Sequence, residues 1–220
     1  MVKNFLDDFY DILFNPAKGL KRVAEDRSIW NGLAVYLGVT IVVSLATLNV
    51  APPAVSPWIP PEFTPFFPVE LFEKTLHFVP LLTFFVQLFF GPLYFFLMVA
   101  ILNFVTGLFN GEGKIGSLGA VLGYSYLPFL IVAVGGLFGR YTSFDIVGLI
   151  SVIAFLWSVT LKIAGIKTVH GFSWGRAVLA FFMPAIVLVS SFILFILLTI
   201  VFLLPMVMQI LEGFPEYSLF

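Results

Sequence analysis

The sequence of 220 residues contains no cysteine and few charged side chains. Without cysteine the chain cannot form disulfides, thiolate metal sites or a cysteine nucleophile. Charged residues make up only 10% of the chain, against about 25% in soluble domains, whereas 60% of the residues are hydrophobic. Because such a composition cannot build a water-facing surface, it predicts a membrane protein.

Histidine and intramembrane charge are also scarce. His77 and His170 are the two histidines, and neither has a neighbouring motif that specifies a triad or a metal centre. We expect no ionised group inside the bilayer, since Lys162 should snorkel to the headgroups. Proton-coupled transporters and intramembrane proteases place ionisable groups there. The sequence therefore predicts no enzyme, no cofactor, no metal and no nucleic-acid partner.

Five apolar segments separated by short polar turns predict an all-α, polytopic membrane bundle with five transmembrane helices. The expected spans are residues 29–48, 84–108, 118–138, 146–166 and 177–204. The charge-free run 75–111 is too long for one straight span, so we expect a tilted or interfacial lead-in before residue 84. Two half-helices are the alternative. The expected helix kinks are Pro92, Pro128 and Pro184.

The basic residues predict the orientation of the bundle. With the N-terminus inside the cell, only Lys74 and Arg140 of the eleven basic residues face out, as the positive-inside rule requires. Residues 205–220 then form an external tail in a protein of the cell membrane. Residues 49–68 hold seven of the fourteen prolines and predict an outer loop that lies on the membrane or caps the bundle. Recognition of this loop by a partner that reads proline-rich segments is the alternative.

Residues 1–28 are expected to form two cytoplasmic amphipathic helices. The apolar face of the first holds Phe5, Phe9, Ile12 and Leu13. The opposite face holds Asp7, Asp8 and Asp11. We expect both helices at the lipid headgroups, and docking of a soluble partner is the alternative. The candidate contacts with lipid or a partner are Lys18, Lys21, Arg22, Lys114 and His170.

The glycine-rich segment 111–116 matches G-x-G-x-x-G, but no strand precedes it, so we reject a nucleotide site. We expect a flexible cytoplasmic turn, and Lys114 beside a helix N-terminus is a hypothetical contact for a lipid phosphate. Polar residues flank this turn and are candidates for an intramembrane cluster: Asn103, Thr106, Tyr124 and Ser125. Hydrogen bonding between helices is their expected role, as it is for Thr40 and Ser44, and a substrate site is the alternative.

Residues 121–128, V-L-G-Y-S-Y-L-P, resemble the V-L-G-Y-x-x-L-P segment of the Yip (Ypt/Rab-interacting protein) domain family. Residues 14–16 and 167–173 are similar to segments of its prokaryotic branch. The resemblance implies five spans, a cytoplasmic N-terminus and an external C-terminus. For eukaryotic relatives it implies vesicle traffic and binding to Rab-type GTPases. This chain lacks their acidic D-L-x-G-P segment and long cytosolic region, so GTPase binding does not carry over.

These observations predict a non-enzymatic integral membrane protein that acts as a scaffold through contacts with lipids and other proteins. Its expected partners are membrane lipids, a second copy of the chain or another membrane protein. A channel or a transporter of a small solute or lipid is the alternative, and an intramembrane enzyme is the third hypothesis. A continuous polar path through the bundle would favour transport, whereas a dry bundle would favour the scaffold.

Overall fold

The computed structural model describes residues 2–47, 69–139 and 146–212. Within these ranges the chain is helical and has no strand, which confirms the predicted all-α class. Three predicted features lie outside the described residues: the proline-rich loop 49–68, the turn that contains Arg140, and the chain from residue 213 onward.

Eight α-helices follow one another in the described residues. They are α1 (Val2–Phe14), α2 (Pro16–Asp26), α3 (Ile29–Thr47), α4 (Val69–Leu108), α5 (Ile115–Tyr124), α6 (Leu130–Gly139), α7 (Ile146–His170) and α8 (Trp174–Glu212). Five helical segments in this part of the chain are long and apolar enough to cross a membrane: Ile29–Ala46, Lys74–Leu108, Ile115–Gly136, Ile146–His170 and Trp174–Gln209. The predicted multi-pass bundle is thereby confirmed, and its orientation stays a prediction.

The second span is a single helix of 40 residues, α4. At about 1.5 Å per residue it is roughly 60 Å long, twice the thickness of a hydrocarbon core of about 30 Å. Pro80 and Pro92 lie inside this helix, and the chain stays helical through both. The alternative of two half-helices is therefore wrong, because neighbouring groups in a bundle can replace the hydrogen bonds that proline removes.

Proline has different effects in the third and fifth spans. Pro128 lies in a 3-10 turn, Leu127–Phe129, that separates α5 from α6. The proline ring clashes with the carbonyl of the residue four positions earlier, and proline has no backbone N–H to donate. Both effects favour an end of the α-helix near this point. Pro184 and Pro205 instead lie inside α8, which continues to Glu212. The tail predicted from residue 205 is therefore helical at its start.

The described residues form two compact units, Met1–Phe181 and Phe182–Phe220. The core of the first unit joins α1 and α2 to the transmembrane helices. Its buried residues include Ile12, Leu20, Val23, Val39, Val121 and Leu161. The second unit is described to Glu212 and exposes large apolar side chains, among them Phe192, Leu194 and Phe202.

Glycine allows α5 to lie directly against its neighbours in the first unit. A Cβ atom added to Gly123 would overlap the main-chain oxygen of Gly32 on α3, and one added to Gly32 would meet the Cα atom of Ala120 at 2.8 Å. On α7, a Cβ atom at Gly165 would overlap Val121. Small residues that bring two backbones together are the usual basis of helix association in lipid.

The two N-terminal helices pack on the bundle and not with the expected faces. Ile12 is buried as predicted, but Asp8 and Asp11 are buried beside it. Three large apolar side chains of α1 are exposed, Leu6, Tyr10 and Phe14, and so is Asp7. The predicted acidic face is therefore wrong for Asp8 and Asp11, whereas Phe9 and Leu13 of the predicted apolar face pack on the core together with Ile12. Asp8 and Asp11 turn inward because basic side chains from α2 and from the residue after it bind them, as described below.

Candidate functional site

The segment Tyr124–Pro128 connects two polar regions of the first unit. It begins at the last residue of α5 and continues into the 3-10 turn before α6. Tyr124 is 2% exposed and interacts electrostatically with Arg27, which precedes α3. Tyr126, two residues later, lines a groove between α3 and α4. The break at Pro128 thus occurs where the chain presents tyrosines to both regions.

The first region is a charged cluster centred on Asp8, whose side chain is 1% exposed. Arg22 Nε donates to Asp8 Oδ1 at 2.6 Å, and Arg27 Nε donates to Asp8 Oδ2 at 2.8 Å. Arg22 also reaches Asp11, with 2.9 Å between Nη1 and Oδ2. Burial acts to lower the pKa of Arg27, but the hydrogen bond and charge of Asp8 outweigh it and raise that pKa above its ordinary value. This cluster fastens α1 to α2 and to the start of α3.

The second region is a groove of about 460 Å³ between α3 and α4. Its polar lining comes from three residues of α3, three of α4 and one from the α5–α6 turn: Tyr36, Thr40, Ser44, Thr83, Gln87, Tyr94 and Tyr126. The residues of α3 recur every four positions and so share one helical face. The apolar part of the lining includes Val39, Val79 and Phe129. The groove therefore combines hydroxyl and amide groups with an apolar wall.

Direct contacts hold the two sides of the groove together. Ser44 Oγ donates a hydrogen bond to Gln87 Oε1 at 3.0 Å, which confirms the expected bonding between helices. Below it, a Cβ atom at Gly91 would lie 3.5 Å from the Tyr36 ring, so α4 presents its small residue to that ring. Tyr36 meets Tyr126 edge to face, with 4.7 Å between the ring centroids.

Lys162 of α7 contacts Tyr126, one of the residues that line this groove, but does not line the groove itself. Its Nζ atom is 4.0 Å from the centroid of the Tyr126 ring, a cation–π geometry. The residue is 7% exposed, so the expectation that Lys162 snorkels to the headgroups is wrong. The ring attracts the ammonium into the protein, where Tyr126 replaces part of its hydration. Among the residues that the structure describes, no carboxylate pairs with Lys162.

The four residues of the predicted intramembrane cluster have other contacts. Thr106 and Ser125 are fully buried, and each hydroxyl donates to a carbonyl oxygen of its own helical segment, of Asn103 at 3.0 Å and of Val121 at 2.7 Å. Tyr124 belongs to the charged cluster described above. Hydroxyls satisfied by the preceding turn are a common arrangement in membrane helices.

The predicted cytoplasmic contacts fall into two groups. Lys18 and Lys21 are exposed, with Lys18 Nζ 3.5 Å from Asp11 Oδ2 and Lys21 Nζ 4.0 Å from Glu25 Oε1. Arg22 instead binds Asp8 and Asp11 inside the protein, so its guanidinium serves the fold. His170 was expected in an interfacial loop, but it is the last residue of α7 and is 8% exposed.

The glycine-rich turn before α5 packs against the end of α7. Gly113 N donates to His170 Nδ1 at 3.1 Å. A Cβ atom at Gly113 would lie 2.6 Å from a methyl carbon of Val169, and one at Gly111 would lie 2.9 Å from Phe172. These glycines allow close approach of the turn to α7, and the flexibility expected of the turn stays a prediction. Lys114 lines a neighbouring cleft of about 550 Å³ that also contains Lys21, Glu25 and Glu112. Its charges are mixed, which does not single out a phosphate.

Sequence reasoning missed three polar residues of the groove, Tyr36, Thr83 and Tyr94, and the inward position of Lys162 on Tyr126. The recurrence of Tyr36, Thr40 and Ser44 every four positions could have indicated a polar face on α3. For Lys162 there was no such signal, because one lysine near a helix end can snorkel or turn inward. In the described part of the chain, no group of three histidine or carboxylate residues could hold a metal ion.

Comparison with known proteins gives one match. The model of the Yip1 domain family matches residues 10–198. No curated protein and no solved structure shows significant similarity to the chain. The matched range begins at Tyr10 and includes the end of α1, all of α2 to α7 and much of α8. Both arginines of the charged cluster and the groove lie within it, whereas Asp8 lies before it.

Proposed function

The chain belongs to the Yip1 domain family of membrane proteins, and from this premise we propose that it acts without catalysis, through contacts with lipids and with other membrane proteins. We place it in the cell membrane, with α1 and α2 on the cytoplasmic side, and we assign it to the prokaryotic branch of the family. In this proposal α1 is the contact element, and the bundle holds it in place.

The observation that carries the proposal is the orientation of α1. Asp8 and Asp11 face the protein, whereas Leu6, Tyr10 and Phe14 are 57%, 61% and 70% exposed, with Asp7 also exposed beside them. These three residues recur every four positions, and the rings of Tyr10 and Phe14 lie 4.9 Å apart. A continuous apolar strip on a helix at the end of a bundle is suited to the boundary between headgroups and acyl chains. The charged cluster keeps this strip from turning inward.

Several hydroxyl groups of the bundle, outside the groove between α3 and α4, are consistent with a structural role. The hydroxyls of Ser151, Thr160 and Thr199 each donate to the carbonyl four residues earlier. Those of Thr106 and Ser125 are also bonded within their own segments. Groups satisfied in this way do not converge on a reacting atom, whereas catalysis requires such convergence.

Spin labelling tests the lipid contact of α1 directly, and the absence of native cysteine makes single labels simple to place. We would label Tyr10→Cys and, as a matched control, Glu25→Cys, in the full chain in liposomes. Glu25 is exposed on α2 and carries charge. The Tyr10 label should be more accessible to oxygen than to a water-soluble nickel chelate, and the Glu25 label should show the reverse.

Two other results of the labelling experiment would change the proposal for α1. A Tyr10 label that prefers the nickel chelate as strongly as the Glu25 label would overturn the proposal. A Tyr10 label shielded from both reagents would show that the strip contacts protein, which supports the contact function and moves it from lipid to a partner.

The proposed orientation has its own test. Lys21→Cys should react with a membrane-impermeant maleimide only after cells are permeabilised, whereas Lys74→Cys should react in intact cells. Both positions are exposed in the structure. The reverse pattern would place α1 outside the cell and contradict the proposal.

A further inference from the structure

We propose that the groove between α3 and α4 is a binding site for a single-chain amphiphile with an anionic head, a carboxylate or a phosphate. The observation behind this inference is that Tyr126 lines a groove with many polar groups and also carries the buried ammonium of Lys162 over its ring. It does not depend on the contact function proposed for α1.

The buried charge of Lys162 favours an anionic ligand. Lys162 is 7% exposed and forms no ion pair with any carboxylate among the residues described. A cation within a membrane protein is costly unless it is paired, and such groups commonly mark ligand or ion sites. The Tyr126 ring offsets only part of this cost. A ligand of opposite charge nearby would supply the rest.

Lys162 is close to the groove, although it does not line it. The Lys162 ammonium is 4.0 Å from the centre of the Tyr126 ring, and Tyr126 itself lines the groove. A head group in van der Waals contact with this ring would lie within roughly 8 Å of the ammonium, since carbon atoms in contact are about 3.5–4.0 Å apart. In a medium of low dielectric constant, a charge at that distance still biases which ligand binds.

The polar groups of the groove can donate hydrogen bonds to a ligand. The lining of the groove contains no charged residue, but it has hydroxyl groups from Tyr36, Thr40 and Tyr94. Tyr36 and Thr40 hydrogen-bond to each other and Tyr94 to Tyr126, and a bonded pair of hydroxyls uses only one of its two protons in that bond. Because Gln87 Oε1 accepts the proton of Ser44, the Gln87 amide nitrogen can donate to a ligand. A carboxylate or phosphate only accepts hydrogen bonds, so it complements these donors.

The groove leaves a path to lipid for the acyl tail of the proposed ligand. Val79 lines the groove and is 44% exposed on the surface of α4, so the groove reaches the outer surface of the bundle. That surface carries further exposed apolar side chains, Leu82 and Val86 among them. An acyl chain can therefore leave the groove sideways into lipid, while the head stays near Tyr126.

The test measures binding of radiolabelled palmitate, lysophosphatidate and hexadecanol to the full chain in phosphatidylcholine nanodiscs. At least one anionic probe should bind more tightly than hexadecanol by roughly tenfold or more, as a charge about 8 Å from the ammonium predicts. Palmitate and lysophosphatidate distinguish the two head groups. Equal binding of all three probes would overturn the proposal.

Variants locate the site. Lys162→Met should remove most of the preference for the anionic probe, whereas Lys162→Arg should retain it. Lys167→Met is the matched control, because Lys167 is on the same helix and its Nζ atom lies over Trp174 at 4.8 Å, away from the groove. Tyr94→Phe, which removes one hydroxyl and keeps the ring, should weaken binding severalfold. Unchanged preference in both Lys162→Met and Tyr94→Phe would place the ligand elsewhere and refute the assignment.

Discussion

The third and the fifth spans are both apolar, yet the protein buries them very differently. Most residues of the third span, Ile115–Gly136, are buried within the first unit. The apolar stretch of the fifth span belongs largely to the second unit, which taken by itself has no buried residue in that stretch, whereas Ala177 and Ala180 near the start of α8 are buried in the first unit. The third span contains Gly119, Gly123 and Gly135, and the fifth is dominated by leucine, isoleucine, phenylalanine and valine. Lipid tails are as apolar as leucine, so large apolar side chains gain little by leaving lipid for protein. Close contact through glycine selects the central helix.

The largest effect should come from filling the contact between α5 and α3. Gly123→Val places a side chain against the backbone of Gly32, which cannot move as a flexible side chain can. We expect a loss of about 3 kcal/mol or more in the free energy of unfolding. The full chain in detergent is heated, and its monodispersity is monitored by size-exclusion chromatography with fluorescence detection. A lower apparent melting temperature reports the loss.

Gly175→Val is the matched control in α8. A Cβ atom there meets nothing within 4 Å, and valine has a slightly better helix propensity than glycine. Its stability should change by less than about 0.5 kcal/mol. Equal effects of the two variants would contradict the claim that close backbone contact distinguishes the two spans.

Truncation of leucine should give a somewhat smaller contrast. Leu122 of α5 is 1% exposed and Leu194 of α8 is 57% exposed. Leu122→Ala should cost about 2–3 kcal/mol through lost contacts and a cavity, and Leu194→Ala should cost less than about 0.5 kcal/mol. The same unfolding assay reports both. A costly Leu194→Ala would reveal a contact that α8 makes with another chain.

The charged cluster extends the comparison to α1, which joins the buried part of the molecule through polar contacts. Asp8→Asn removes the charge that faces Arg22 and Arg27, whose side chains are 30% and 21% exposed. Partial exposure screens these charges, so we expect a loss of about 2 kcal/mol, below the range for fully buried pairs. Limited proteolysis should show earlier cleavage between α1 and α2. Asp7→Asn, an exposed neighbour, should leave stability and cleavage unchanged.

The smallest effect is an accessibility difference with no change in stability. A spin label at Leu194→Cys should be accessible to oxygen in liposomes, and a label at Val152→Cys on the exposed side of α7 should behave alike. Shielding of Leu194 alone would mean that α8 contacts protein and that its exposure in a single chain is not its exposure in the membrane.

Much of the fold could be predicted because the signals are local. The five spans, the two N-terminal helices and the end of α5 near Pro128 follow from runs of apolar residues, charge and proline chemistry. The direction of α1 could not be predicted, because Asp8 turns inward only when Arg22 and Arg27 are placed around it by the fold. Periodicity alone assigned Asp8 and Asp11 to the exposed side of α1, although both are buried.

The candidate site was less accessible to sequence reasoning. Ser44 and Gln87 lie 43 positions apart, and their hydrogen bond depends on the register of α3 against α4. Gly113 and His170 lie 57 positions apart, and nothing in either segment names the other as its partner. Interactions of this kind depend on which helices are neighbours, and apolar helices carry little information about that choice.

The sequence by itself determined that this is a multi-pass helical membrane protein, because composition and segment length decide which solvent a chain can occupy. The tertiary structure alone decided that α5 is central, that Asp8 and Asp11 of α1 face inward and that Lys162 lies on Tyr126. The physical reason is that oil-like surroundings make apolar faces equivalent. Where hydrophobicity cannot choose between faces, close contacts at glycine and the need of polar groups for partners make the choice.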